Sequence, residues 1–171
     1  MMPKRLLDRC HPDSIREFRA SAQQRFDDGL TAAVGGRGLA AIYLWGYCAE
    51  MLLKAAYFSV LGLGEGTSLR MADHIAPAIL MGRQLGIAWP KSGQGHNVRA
   101  WAELLILERA THPDRELEYP ADFGDRVQAN GQRIGQLWNE TLRYHKNKPY
   151  SHEVAQVREA VEWIVVHSAL L

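Results

Sequence analysis

The segment GYCAEMLLKAAYFSVLG, Gly46 to Gly62, constrains this chain more than any other. With the residues before it, from about Arg37 to Leu61, it reads as one helix that is apolar on nearly every side. A surface helix needs a single apolar stripe, whereas a helix apolar all round must be covered all round, by protein or by lipid. Two charges decide between the covers. Glu50 and Lys54 interrupt the run, while a membrane span takes roughly 18 or more consecutive apolar residues and charges near its middle are costly in lipid. The expectation is a central helix with other helices packed around it, and no membrane partner.

The rest of the chain supplies those helices. Val and Ile never alternate over a strand's length, and Ala, Leu, Arg, Glu and Gln dominate, which favours helix. Asp13 or Ser14 is the N-cap of a first helix whose Ile15, Phe18, Ala22 and Phe26 share one face, and Gly35 and Gly36 break it. A third segment, about Ser68 to Leu85, carries Pro77, which kinks or splits it. A fourth starts at Asn97 as N-cap and turns Val98, Trp101, Leu104 and Leu105 inward. A long helix is expected from about Ala121 to His145, with Gly131 and Gly135 inside it. KNKPY stops that helix, and Ser151 and Glu153 open a last one with Val154, Val157, Val161, Ile164 and Val165 inward. The stretches GIAWPKSGQG and THPDRELEYP are loops. No repeat or linker appears, so residues 1–171 form a single domain, an all-α, largely up-and-down bundle of five or six helices.

Composition narrows the function. With 20 Lys and Arg against 19 Asp and Glu, the surface as a whole does not attract nucleic acid, which leaves only a local basic patch. Cys10 and Cys48 form neither a metal-ligand spacing nor a disulfide framework, and suit a reducing cytoplasm. The N-terminal MMPKRLLDRCHPDS has no apolar core of signal-peptide length. The histidines are scattered without metal-ligand spacing. No metal or cofactor is expected.

Three polar features stand out. Glu50 and Lys54 are spaced i, i+4 in the favourable orientation, worth about 0.2–0.5 kcal/mol when exposed, and Tyr43, Tyr47 and Tyr57 share their side of the helix. Either this stripe is the helix's one wet edge, or Glu50 orients a base or an arginine on a neighbouring helix, since a semi-buried carboxylate needs a partner to stay charged. The second feature is TLRYHKNKPYSHE, where Arg143, His145, Lys146, Lys148 and His152 are interleaved with Tyr144 and Tyr150. Lysine and arginine hold phosphates, tyrosine stacks on bases, and histidine moves protons near neutral pH. A helix C-terminus also favours such cations with no ligand present. The third is GQGHNVRAW, where Asn97 caps a helix and His96 precedes it in a mainly structural role.

Three of these pieces resemble, in order, the HEPN superfamily of prokaryotic toxin and nucleotidyltransferase-associated helical domains. CAEMLLKAA is similar to its A-E-x-x-x-K-A helix, GHNVRAWAELL to its H-[DN] helix start, and LRYHKNKPYSHEVAQVREAVEWIVV to its R-Y turn and last helix. The match covers roughly Arg37 to Val166. The resemblance implies a four- or five-helix bundle that often forms a homodimer, with an antitoxin or nucleotidyltransferase partner, or RNA or a nucleotide as ligand. Many members of the family are metal-independent ribonucleases with an R-x4-6-H motif on a late helix. Here Arg143 and His145 are separated only by Tyr144, while eight residues separate Arg143 from His152. The catalytic pair therefore does not carry over. Glu50, Lys54, Arg143 and Tyr144 carry over as a polar ligand-binding site, with Glu50 expected against Arg143. The two expectations are a non-catalytic binding module and a divergent endoribonuclease toxin using Arg143 with His145 or His152.

Overall fold

The computed structural model describes residues 13–89, 95–111 and 120–171. Among them lie six α-helices: α1 (Ile15–Val34), α2 (Gly38–Val60), α3 (Ala76–Gln84), α4 (Val98–Ala110), α5 (Phe123–Leu137) and α6 (Ser151–Val166). No strand occurs among the described residues, and the only extended pairing there is a bridge between Ser14 and Ser68. The fold is an all-α helical bundle, as the periodicity predicts.

Each start and stop has a local cause. The Ser14 hydroxyl accepts from the Glu17 N–H at 3.2 Å and fixes the first turn of α1. Gly36 takes φ +70°, which lets α1 and α2 fold back on each other across a very short connection. The Asn97 side chain accepts from the Ala100 N–H at 3.1 Å and starts α4. Pro77 stands in the first turn of α3, where its missing N–H does little harm, but the preceding residues Met71–Ile75 widen into a π-helical turn. The segment from Ser68 to Leu85 thus changes pitch at its proline.

α2 packs against α1, α4, α5 and α6 and is the bundle's axis. Trp45, Cys48, Leu53, Tyr57 and Phe58 on it are buried, and each large apolar side chain so removed from water contributes about 1.5–3 kcal/mol before entropy. Although α2 is long and apolar enough to cross a membrane, most of it is covered by its neighbours in the bundle. Small residues let the flat rings approach it: Trp138 lies over Gly46, where any Cβ would overlap the indole. Gly131 of α5 likewise meets Ala102 of α4 with no room for a Cβ. The glycines that weaken α5 in isolation thus let it pack closely.

The long helix expected from Ala121 to His145 is shorter. It ends at Leu137, where Trp138 turns to extended backbone (φ −128°, ψ 136°). That departure carries the indole across to α2, where Nε1 donates to the Tyr43 carbonyl at 3.0 Å. Asn139 then caps a 3₁₀ turn, Glu140–Tyr144, by accepting from the Thr141 N–H at 2.9 Å. Burial of one tryptophan outweighs continuation of the helix.

A candidate functional site along one face of the central helix

Tyr43, Tyr47, Glu50 and Lys54 recur at spacings of four, three and four, so they share one face of α2. Along this face the residues pass from half-buried, at Tyr43 and Tyr47, to buried, at Glu50 and Lys54. At the inner end both charges are covered: Glu50 is 2% and Lys54 7% exposed. The Lys54 ammonium donates to Glu50 Oε1 at 2.5 Å and lies over the Trp101 ring, 5.4 Å from its centroid. The same carboxylate receives His96, whose Nδ1 is 3.0 Å from Oε1 and 3.1 Å from Oε2. The wet-edge reading of this pair is therefore wrong. The covering residues come from α1, α4 and the segment before α4, all distant in sequence.

His96 is the residue that the sequence undervalued. Its neighbour Asn97 does the capping, while the His96 ring leaves the helix start and closes on Glu50, 46 residues earlier. No spacing rule reaches across that distance. The signal was only the order of motifs, an A-E-x-x-x-K helix followed by an H-N helix start. With Nδ1 held by Glu50, Nε2 has no hydrogen-bond partner among the described residues, and the side chain is 36% exposed. A carboxylate behind one nitrogen fixes the ring and leaves the other nitrogen to face a ligand.

A cavity of about 310 Å³ lies over this cluster. Phe18, Met51 and Ile75 are among its apolar lining residues, and Tyr47, His96, Asp13 and Glu17 among its polar ones. Tyr47 sits edge-on to His96, 5.7 Å between centroids, and edge-on to Trp138 at 5.3 Å. Burial pushes the Tyr47 hydroxyl well above the ordinary phenol range, reinforced by its hydrogen bond with Tyr43 and the Glu50 charge, while Arg143 works in the opposite direction. Tyr47 is therefore a neutral phenol throughout the physiological range.

At the outer end the expected contact between Glu50 and Arg143 does not form. The ion partners of Glu50 among the described residues are Lys54 and His96. Arg143, fully exposed on the 3₁₀ turn, is bound by the Tyr43 hydroxyl, which is the chief reason its guanidinium rises above the usual value. It also lies over the Tyr144 ring, 4.7 Å from the centroid. Tyr43 and Tyr47 pack edge to face at 5.0 Å and stand between the two charges. Seven residues of helix separate Tyr43 from Glu50, about 10 Å of rise, which is why Arg143 stops at the first tyrosine.

Beyond Arg143 the chain stays at the surface. His145, Lys146 and Lys148 are exposed, and His152 stacks on Tyr150 with rings nearly parallel at 5.6 Å. Tyr144 and Tyr150 are 72% and 71% exposed. A groove of about 670 Å³ runs beside them, lined by Arg37, Lys146, Lys148 and Pro149 among others. Among the described residues, none of Arg37, Arg143, Lys146 and Lys148 has a carboxylate partner. The Glu153 carboxylate is used at home, accepting from the Tyr150 N–H at 2.7 Å in the cap of α6. No group of His, Cys, Asp and Glu among the described residues could hold a metal ion.

Comparison of the chain with protein-family models, with curated proteins and with solved structures finds no match to any of them.

Proposed function

We propose that this chain is a non-catalytic, HEPN-like helical module that binds single-stranded RNA, or a nucleotide end of it, on the face formed by Arg37 and the segment Arg143–His152. The observation that supports it is the combination there of four cations that have no carboxylate partner among the described residues with two tyrosine rings more than two-thirds exposed. Exposed aromatic rings are otherwise a solvation cost; beside phosphate-binding cations they become stacking platforms that accept any base. A near-neutral net charge is compatible with this reading because Arg37, Lys146 and Lys148 line one groove and form a local basic patch.

The nuclease alternative has less support. Arg143 is occupied by Tyr43 and Tyr144, and no histidine is among its partners. Arg143 belongs to the 3₁₀ turn Glu140–Tyr144, whereas His145 follows it with extended backbone (φ −99°, ψ 148°), so the two are not held on one helical face as an R-x4-6-H pair would be. Dimer formation, and an antitoxin or nucleotidyltransferase partner, are proposals that rest on the motif resemblance alone.

The test is fluorescence anisotropy with a labelled single-stranded RNA, the RNA being run on a gel afterwards. The expected result is saturable binding without cleavage, with log K falling against log salt at a slope of roughly −3 for four phosphate contacts on a single strand. Tyr144→Ala and Tyr150→Ala should each weaken it by about 1–3 kcal/mol. Cleavage lost on Arg143→Ala or His145→Ala would replace this reading by the nuclease one. Binding that Lys146→Glu/Lys148→Glu leaves intact would remove the site.

A further inference from the structure

The basic face leaves the cavity over Glu50, Lys54 and His96 without a role. Its chemistry is opposite in sign. Its lining residues include three acids, Asp13, Glu17 and Glu50, against Lys54 and His96, so the lining is net anionic even with His96 protonated. Lys54 is held by Glu50 and the Trp101 ring and does not offset the two outer carboxylates. Neither Asp13 nor Glu17 has a cationic partner among the described residues. An RNA phosphate would be repelled here.

Two further observations mark the cavity as a site rather than a packing gap. A buried ion pair is rarely needed for stability, since well-packed apolar residues of similar volume serve as well or better. Here one is kept at the cavity floor, with a third ionisable group, His96, brought onto it from another part of the chain. The cavity wall also includes Met71 and Ile75, the two ends of the π-helical turn, a geometry found frequently at functional sites. The size falls at the lower end of small-molecule pockets, with the usual mix of apolar wall and few polar groups.

We infer that this cavity binds a small organic amine with an aromatic or branched apolar body. The ammonium meets Asp13 and Glu17, the body lies against Phe18, Tyr47, Met51 and Ile75, and His96 Nε2 and the remaining Lys54 N–H groups offer hydrogen bonds at the inner end. The site is independent of the RNA face, so either can fail alone.

The probes are 2-phenylethylamine, 2-phenylethanol and phenylacetate, which share a ring and differ in charge, followed by ligand-observed NMR and calorimetry on the full chain. The expected order is amine, then alcohol, then acid. Asp13→Asn, at an exposed position, and Glu17→Gln, at a half-buried one, should each weaken the amine by about fivefold, the upper end for an exposed ion pair, and leave the alcohol unchanged. Lys146→Glu/Lys148→Glu should leave the amine unchanged. Saturable binding of the amine with all three effects supports the site. No saturable binding, phenylacetate binding as tightly as the amine, or a preference surviving Asp13→Asn/Glu17→Gln would overturn it.

Discussion

Glu50→Gln is the substitution that most directly tests the interior of this bundle. It keeps the side chain's volume and removes its charge. In the folded protein Glu50 is 2% exposed and its carboxylate receives both Lys54 and His96. The variant leaves an ammonium that is 7% exposed without its direct ion partner, the carboxylates of Asp13 and Glu17 making no ion pair with it. Breaking a buried pair from one side typically costs about 3–5 kcal/mol, because the remaining charge has lost its compensation. A Gln oxygen still accepts one hydrogen bond from Lys54, so the expected loss is near the low end, about 3 kcal/mol. Against a total stability of about 5–15 kcal/mol that is a large fraction, and the urea midpoint should fall by about 1–2 M. Replacing both partners, Glu50→Leu with Lys54→Met, removes the uncompensated charge and should return to within about 1 kcal/mol of the parent. Urea unfolding followed by far-UV circular dichroism measures all three proteins. A loss under about 1 kcal/mol in Glu50→Gln, the scale of an exposed pair, would show that water reaches the ammonium and that the burial argument is wrong. A double variant less stable than the single one would show that the cluster's hydrogen bonds, rather than its charge balance, hold α2 to its neighbours.

Gly46→Ala should destabilise by about 1–3 kcal/mol despite the better helix propensity of Ala, because the new methyl overlaps the Trp138 indole; urea unfolding checks it, and in a Trp138→Ala background, itself destabilised, the same substitution should cost little. Asn97→Ala should cost about 1 kcal/mol through loss of the α4 cap, with the midpoint shift read in the same assay. Burial pushes the Cys48 thiol up to about 12, with a smaller contribution from Asp27. In a Cys10→Ser background, iodoacetamide should therefore label the folded protein only as fast as it unfolds. The same shift has a stability consequence. Above the ordinary thiol value the unfolded chain loses a proton that the folded chain retains, so stability should fall as pH rises from about 9 towards 12. Cys48→Ala should make that decline shallower.

The helical architecture was legible because it rests on local rules. Asn97 was readable as a cap, and the first cap was narrowed to Asp13 or Ser14, of which Ser14 caps, since a cap is set by residues within one turn. The inward faces of α1, α4 and α6 follow from 3.6-residue periodicity, and Ile15, Ala22, Trp101, Leu104, Val157, Val161 and Ile164 are indeed buried. The all-round apolar character of α2 required a central position, and it has one. The misreadings arose where a distant contact outbid a local one. The helix predicted to run to His145 ends at Leu137 because Trp138 gains a pocket over Gly46, some 90 residues earlier in the chain.

The candidate site divides along the same line. Its ingredients were visible in the sequence: the i, i+4 pair Glu50 and Lys54, the tyrosines on their face, and the cations from Arg143 to His152. Their partnerships were not. A sequence shows which side chains share a helix face, because the backbone fixes that angle; it does not show which face of another helix comes opposite. Only tertiary packing decided that Glu50 is covered rather than wet, that it takes His96 instead of Arg143, and that Arg143 ends on Tyr43. The charge of a buried carboxylate must be compensated within hydrogen-bond reach, and which group falls within that reach is a property of the assembled bundle.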